Sequence, residues 1–170
     1  MASRLLAVLA LLVAAPFVRA EPLDLTDVKN SEAATVLIAK FFESIGLDVY
    51  DKDEKQFNLK SGGYNIVMMA YYHEDNGCRL NAYITYGGRK ENVGDAKLLR
   101  LVNEVNCQFN LVAFSVDSDG DFCYRYSLVF DKKLDPKVVQ RWLRNIALQT
   151  DAIRAEFRDK LKPYMVTKGK

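Results

Sequence analysis

YNIVMMAYYHEDNGCRLNAYITY, residues 64–86, is the stretch whose pairing decides the architecture. Two runs rich in β-branched and aromatic residues, 64–73 and 79–86, flank Asn76-Gly77, a dipeptide that accepts the positive φ of a type I′ turn. That turn sets Asp75 against Cys78, and therefore Tyr71 against Ala82, Met69 against Ile84 and Val67 against Tyr86, one consistently apolar face. The other face then carries Tyr64, Ile66, Met68, Ala70, Tyr72 and Tyr83, relieved by Asn81 and Thr85. An antiparallel sheet covered on one side should turn a polar face to water, and this one does not. Unless a helix covers it, Tyr64, Ile66, Met68, Tyr72 and Tyr83 are therefore the candidate binding residues, for a protein partner or for self-association as a homodimer.

Downstream, Asp95 caps an expected helix over 95–107 whose apolar stripe is Leu98, Leu99, Val102 and Val105. A second hairpin spans 111–130 around Asp117-Ser118-Asp119-Gly120-Asp121. A two-residue Asp119-Gly120 loop would set Phe114 against Arg125. A three-residue loop ending on Gly120 instead sets Val116 on Phe122, Phe114 on Tyr124 and Val112 on Tyr126, and this register is expected, with a bulge at Gly120. Asp135-Pro136 then opens a helix with Val139, Trp142, Leu143, Ile146, Ile153, Phe157 and Leu161 at spacings of three, four or seven, ended by Pro163. At about 26 residues it is ~39 Å long, against ~27 Å for a strand of about eight, so its far end should overhang the sheet.

Upstream, Ser31 caps an expected helix carrying Val36, Leu37, Phe41 and Ile45, stopped by Gly46. A short strand pair follows, with Leu47, Val49, Phe57 and Leu59 alternating around an acidic turn. The order is α-β-β-β-β-α-β-β-α, an α+β fold with an antiparallel sheet and packed helices.

The first residues carry a different signal. Arg4 precedes an apolar run over 5–15, too short to span a bilayer, and Val18-Arg19-Ala20 has the form of a cleavage site. The expected organisation is a signal peptide over 1–20 cut before Glu21, a short leader over 21–30, one domain over 31–162 and a flexible tail over 163–170. The protein is then periplasmic or secreted, with no stable membrane anchor. Loss of Arg4 and Arg19 takes two from the 24 basic residues and leaves them equal to the 22 acidic ones. A neutral chain lacks the basic field that nucleic acid requires.

Catalytic and metal motifs are sparse. The chain has three cysteines, Cys78, Cys107 and Cys123, with no CxxC spacing, so at most one internal disulfide can form. Cys107 with Cys123 is the favoured pair, being close in sequence. The single histidine, His73, lies near a strand end opposite Leu80, with Cys78 the nearest thiol; a structural or solvated role is expected. The loop at Asp117 lacks the glycine and glutamate that a calcium hand needs at its sixth and twelfth positions, where Phe122 and Leu128 stand. Gly62-Gly63 and Gly87-Gly88 match neither nucleotide-binding spacing. No catalytic residue, metal or cofactor is expected.

Three stretches together resemble the YbjN-domain family: SEAATVLIAKFFESIGLDV, LVNEVNCQFNLVAFSVDSDGDFCYRYSLVF and the long final helix. That bacterial family is described as sensory transduction regulators. The resemblance implies a fold similar to type III secretion chaperones and brings no catalytic residues with it. Three function classes stay open. The first is a non-enzymatic adaptor, chaperone-like module or regulator holding a protein partner. The second is a small-ligand or lipid carrier, which needs a cavity between the aromatic sheet and a helix. The third is an enzyme with an acid/base pair among Asp48, Asp51, Asp53 and Glu54, which needs a carboxylate of raised pKa.

Overall fold

Gly77 sets the sheet. Its φ of +75° puts it in the left-handed region that glycine alone enters freely, and the loop before it is Glu74-Asp75-Asn76, closed by the Asn76 N–H donating to the His73 carbonyl at 3.2 Å. His73 therefore pairs with Gly77, Tyr72 with Cys78, Ala70 with Leu80 and Met68 with Ala82. Asn76-Gly77 is not the centre of a two-residue turn, and the register differs from the expected one by three. Because side chains alternate with period two, an odd slip exchanges the faces of one strand relative to the other. Tyr64, Ile66, Met68, Ala70 and Tyr72 thus share a face with Cys78, Leu80, Ala82 and Ile84.

The computed structural model describes residues 20–166. Its elements run β1 (Leu23–Asp24), α1 (Ser31–Ser44), β2 (Asp48–Tyr50), β3 (Phe57–Ser61), β4 (Tyr64–His73), β5 (Gly77–Tyr86), α2 (Ala96–Gln108), β6 (Ala113–Val116), β7 (Phe122–Phe130), β8 (Lys133–Leu134) and α3 (Pro136–Leu161). Six strands form an antiparallel sheet in the order β2-β3-β4-β5-β7-β6, and β1 pairs with β8 beside it. The α+β class and the expected order hold, with β1 and β8 added. The β6–β7 register is the one that the aromatic pairing favours: Val116 lies on Phe122 and Phe114 on Tyr124. Gly120, at φ +86°, supplies the bulge.

All three helices lie on one face of the sheet. Phe42 of α1 meets Phe57 of β3 edge to face at 5.4 Å, and the Tyr72 N–H donates to the Ser31 hydroxyl at 2.9 Å. Asn106 of α2 grips edge strand β6, donating to the Phe114 carbonyl at 2.9 Å and accepting from its N–H at 2.8 Å. The middle of α3 crosses the β3–β4 turn so closely that a Cβ on Gly62 would stand 2.6 Å from that of Ala147. The covered face is the core, where Phe42, Phe57, Ile66, Met68, Leu80, Phe114 and Phe157 are almost wholly buried.

Several boundaries move. Asn30, not Ser31, caps α1, its side chain accepting from the Ala33 N–H at 2.8 Å. That leaves the Ser31 hydroxyl to anchor β4. The buried stripe of α1 is Ala34, Thr35, Ile38, Ala39, Phe41 and Phe42, while Val36 and Leu37 face outward. On α2 Leu101 takes the buried place expected for Leu99. The expected leader is part of the domain: Leu25 and Val28 sit in the core, and the Leu25 N–H donates to the Lys132 carbonyl at 2.7 Å. The expected tail from 163 onward begins in regular structure: a 3-10 turn runs over Lys162–Tyr164, and Met165 bridges to Gly88. The expected signal peptide, apart from Ala20, lies outside the described residues, as do 167–170. Among the described residues no helix is long and apolar enough to cross a membrane.

Candidate functional site

Four tyrosines from three strands converge under α3. The Tyr126 hydroxyl shares a buried hydrogen bond with Thr150 at 2.7 Å, and the Tyr64 hydroxyl donates to the Asp151 carboxylate. One turn further along the helix, the Arg154 guanidinium lies 5.1 Å over the ring of Tyr86 and reaches its hydroxyl at 3.4 Å. Tyr86 in turn meets Tyr124 edge to face at 5.6 Å. Burial, with the Asp151 bond adding, pushes Tyr64 up to about 12; burial pushes Tyr126 up to about 12 as well, and raises Tyr86 and Tyr124. At neutral pH all four hydroxyls keep their protons.

Beyond Tyr86 the sheet and helix part, and a cavity of about 250 Å³ opens between them. Phe122, Tyr124, Leu161 and Met165 give it apolar walls. Asp151, Arg154 and Arg158 line its polar side. The fold places these groups by simple means. Tyr86, Phe122 and Tyr124 occupy the covered-face positions at one end of β5 and β7, while Asp151, Arg154 and Arg158 recur every three or four residues on α3. The 3-10 turn after α3 brings Met165 back beside Gly88.

Among the described residues no helix lies over the opposite face of the sheet. Neighbouring strands bring Val67, Tyr83 and Arg125 into one row, Met69, Asn81 and Ser127 into the next, and Tyr71, Arg79 and Val129 into a third. Val129 is 67% exposed and Tyr71 39%. Arg79 lies 5.2 Å over the Tyr71 ring, and Asn81 is buried beneath its neighbours, donating to the Tyr83 hydroxyl at 3.1 Å and accepting from Ser127 at 2.7 Å. The Tyr83 hydroxyl, with partial burial adding, raises the Tyr71 pKa. These three rows hold two cations and no carboxylate.

The five residues marked in the sequence do not form one surface. Tyr64, Ile66 and Met68 belong to the core, Tyr72 is half-buried on the same covered face, and only Tyr83 looks out from the other side. The slip of three at Gly77 is the reason. The outward apolar residues are instead Val67, Met69 and Tyr71, which the expected register had placed inside. Pairing β4 with β3 instead of β5 would have found them, because Phe57 lies on Met68 and Leu59 on Ile66.

The remaining chemical groups are dispersed. His73 pairs with Gly77, not Leu80, and its ring is exposed. Cys78 points to the covered face, where burial pushes its thiol up to about 11 and makes it a poor nucleophile. Asp48, Asp51, Asp53 and Glu54 are exposed, and N–H donors from Gln56 and Lys55 hold Asp53 below the usual carboxylate range, the reverse of a general acid. Asp117 turns its carboxylate to the N–H groups of Asp119 and Asp121, Asp121 accepts from the Gly88 N–H and Asp119 faces the Lys90 ammonium, so each acid of the loop already has a partner.

All three cysteines are free. Cys123 alternates with the buried Phe122 and Tyr124 and so faces the open side of the sheet, whereas Cys107 is exposed on α2, across the sheet from it. The expected Cys107–Cys123 bridge is not made. Thiol titration in denaturant is expected to find three groups. In the native protein Cys107 should react promptly, Cys123 more slowly and Cys78 only on unfolding. A count of one free thiol in denaturant would show that a bridge forms.

The fold and these faces define an α+β module, a six-stranded antiparallel sheet with helices packed on one side. Residues 35–159 match the YbjN family, described as "Putative bacterial sensory transduction regulator", and the chain belongs to that family. Among solved structures it is similar to one titled "Crystal structure of YbjN, a putative transcription regulator from E. coli", with a TM-score of 0.56 and 11% identity over 82% of this chain and 100% of that one. No curated protein matches the chain.

Proposed function

We propose that the protein is a non-enzymatic regulatory module that holds an acidic, partly apolar segment of a protein partner on the open face of its sheet. The observation that carries this is the asymmetry of the layers: among the described residues three helices share one face and no element lies over Val67, Met69, Tyr71, Tyr83 and Val129 on the other. Aromatic residues, Met and Arg are enriched in protein interfaces. The charge on this face selects the occupant. Arg79 and Arg125 stand in its central rows without a carboxylate, whereas at the margin Asp48 lies opposite Lys60, so complementarity at the centre favours an acidic segment. The family description as a regulator is consistent with binding in place of catalysis. The apolar run over 5–15 and the Val18-Arg19-Ala20 sequence support action after export, in the periplasm or medium.

A labelled peptide alternating Glu with Leu tests the reading by fluorescence anisotropy. Wild type should bind it, with affinity falling as salt rises, and Arg79→Glu with Arg125→Glu should lower the affinity about tenfold or more at unchanged melting temperature. Arg144→Glu, an exposed change on α3, serves as the charge control. Binding that survives the double change, or that Arg144→Glu weakens equally, would overturn the assignment to this face. Dimer mass in light scattering, lost on Val129→Glu, would make a second copy the occupant instead.

A further inference from the structure

We propose that the cavity beneath the C-terminal half of α3 is a binding site for a small aromatic monoanion, a carboxylate carried on a single ring. It lies on the covered side of the sheet and is independent of the open face. Its volume of about 250 Å³ is just under the usual ~300–1,000 Å³ for small-molecule pockets, and so admits one ring with a short side chain, not a lipid. Tyr86, Phe122 and Tyr124 offer ring edges and faces, and Met165 an adaptable thioether wall.

Charge fixes the other half of the ligand. Arg154 and Arg158 are four residues apart on one face of α3, a like-charge pair that destabilises a helix when nothing neutralises it. Among the described residues neither is in an ion pair. The single carboxylate in the lining, Asp151, already accepts the Tyr64 hydroxyl. Two guanidinium groups against one carboxylate leave one net positive charge, which matches a monoanion better than a phosphate dianion. Arg154 is also held in advance by the Tyr86 ring and hydroxyl, which lowers the ordering cost of gripping a carboxylate.

The test uses the full chain with methyl-labelled methionine, following the Met165 resonance during titration with phenylacetate. Controls are 2-phenylethylamine, which keeps the ring and reverses the charge, and inorganic phosphate, an anion of higher charge that lacks the ring. Phenylacetate should shift Met165 saturably, and both controls should bind at least about tenfold more weakly. Arg154→Met with Arg158→Met should weaken phenylacetate by a similar factor. Ala155→Trp, at an exposed helix position lining the cavity, should abolish the shift. Far-UV dichroism should be unchanged in these variants, and each should still unfold in one cooperative transition. No saturable shift in the wild type, equal binding of the amine or of phosphate, or binding that persists in Ala155→Trp would each overturn the proposal.

Discussion

Met68→Glu is expected to unfold the domain, while Tyr83→Glu leaves it folded. Met68 is fully buried, between Phe57 on β3 and Ala82 on β5 and beneath the helical layer. A carboxylate there has no donor to meet it, and it must either stay charged in an apolar interior or take up a proton at neutral pH. The expected loss is about 4 kcal/mol or more, comparable to the whole stability of an ordinary domain. Tyr83 is half-exposed on the open face, and its replacement removes one hydrogen bond from Asn81, a loss of about 1 kcal/mol. Urea titrations of the two single variants separate these outcomes. A cooperative Met68→Glu transition near the wild-type midpoint would place Met68 at the surface and restore the register with Asp75 against Cys78.

Asn92→Ala is expected to cost about 2–4 kcal/mol. Asn92 is only 3% exposed, and its amide nitrogen donates to the Gly120 carbonyl at 2.9 Å and to the Tyr164 carbonyl at 2.9 Å. One side chain thereby ties the β6–β7 turn and the segment after α3 to the loop between β5 and α2. The neighbourhood is tightly built: a Cβ on Gly88 would fall 1.8 Å from the Gly120 carbonyl oxygen. Truncation leaves two acceptors without their donor in a confined site, each worth roughly 1–3 kcal/mol when buried. Asn92→Asp keeps the shape but sets a carboxylate against two carbonyl oxygens, so it should be at least as damaging. An Asp variant as stable as wild type would show that packing, not donation, is what Asn92 supplies.

How far the sequence can be followed depends on whether a segment has one apolar face or two. In β6 and β7, only one loop length sets Phe114 opposite Tyr124, and the register follows from that pairing. In β4 nearly every residue from Ile66 to Tyr72 is apolar or aromatic, so alternation does not separate the two faces, and a single turn residue carries the decision. Read as the second residue of a two-residue turn, Gly77 shifts the register; its positive φ belongs instead to the position just after the loop. The same ambiguity explains α1: the run from Ala33 to Phe42 is apolar almost all round, and either stripe satisfies helical periodicity. On α2 and α3 the polar positions are frequent enough to mark most of the buried side, the exceptions being Leu99 read for Leu101 on α2 and the half-buried Trp142 on α3.

The candidate sites are harder to see for a different reason. Arg154 and Arg158 belong to the polar stripe of α3, and nothing local distinguishes them from Arg144 or Lys160. Their significance comes from Tyr86 and Tyr124, far away in sequence and brought beneath them only by the crossing of α3 over the sheet. Sequence reasoning states that a carrier needs a cavity between an aromatic sheet and a helix, but it does not reach the residues that line one.

The pairing of Leu23 with Leu134 and Asp24 with Lys133 also bears on how the chain folds. More than a hundred residues separate these partners, so this is a contact of very high sequence separation, which must wait for nearly the whole chain. The ladder is two residues long and is reinforced by Leu25 and Val28. A ladder this short, with partners this far apart in sequence, is expected to close last and open first, as a local unfolding unit. Amide exchange at Leu25 is therefore expected to report opening of the N-terminal segment alone, and exchange in the centre of β5 loss of the entire sheet.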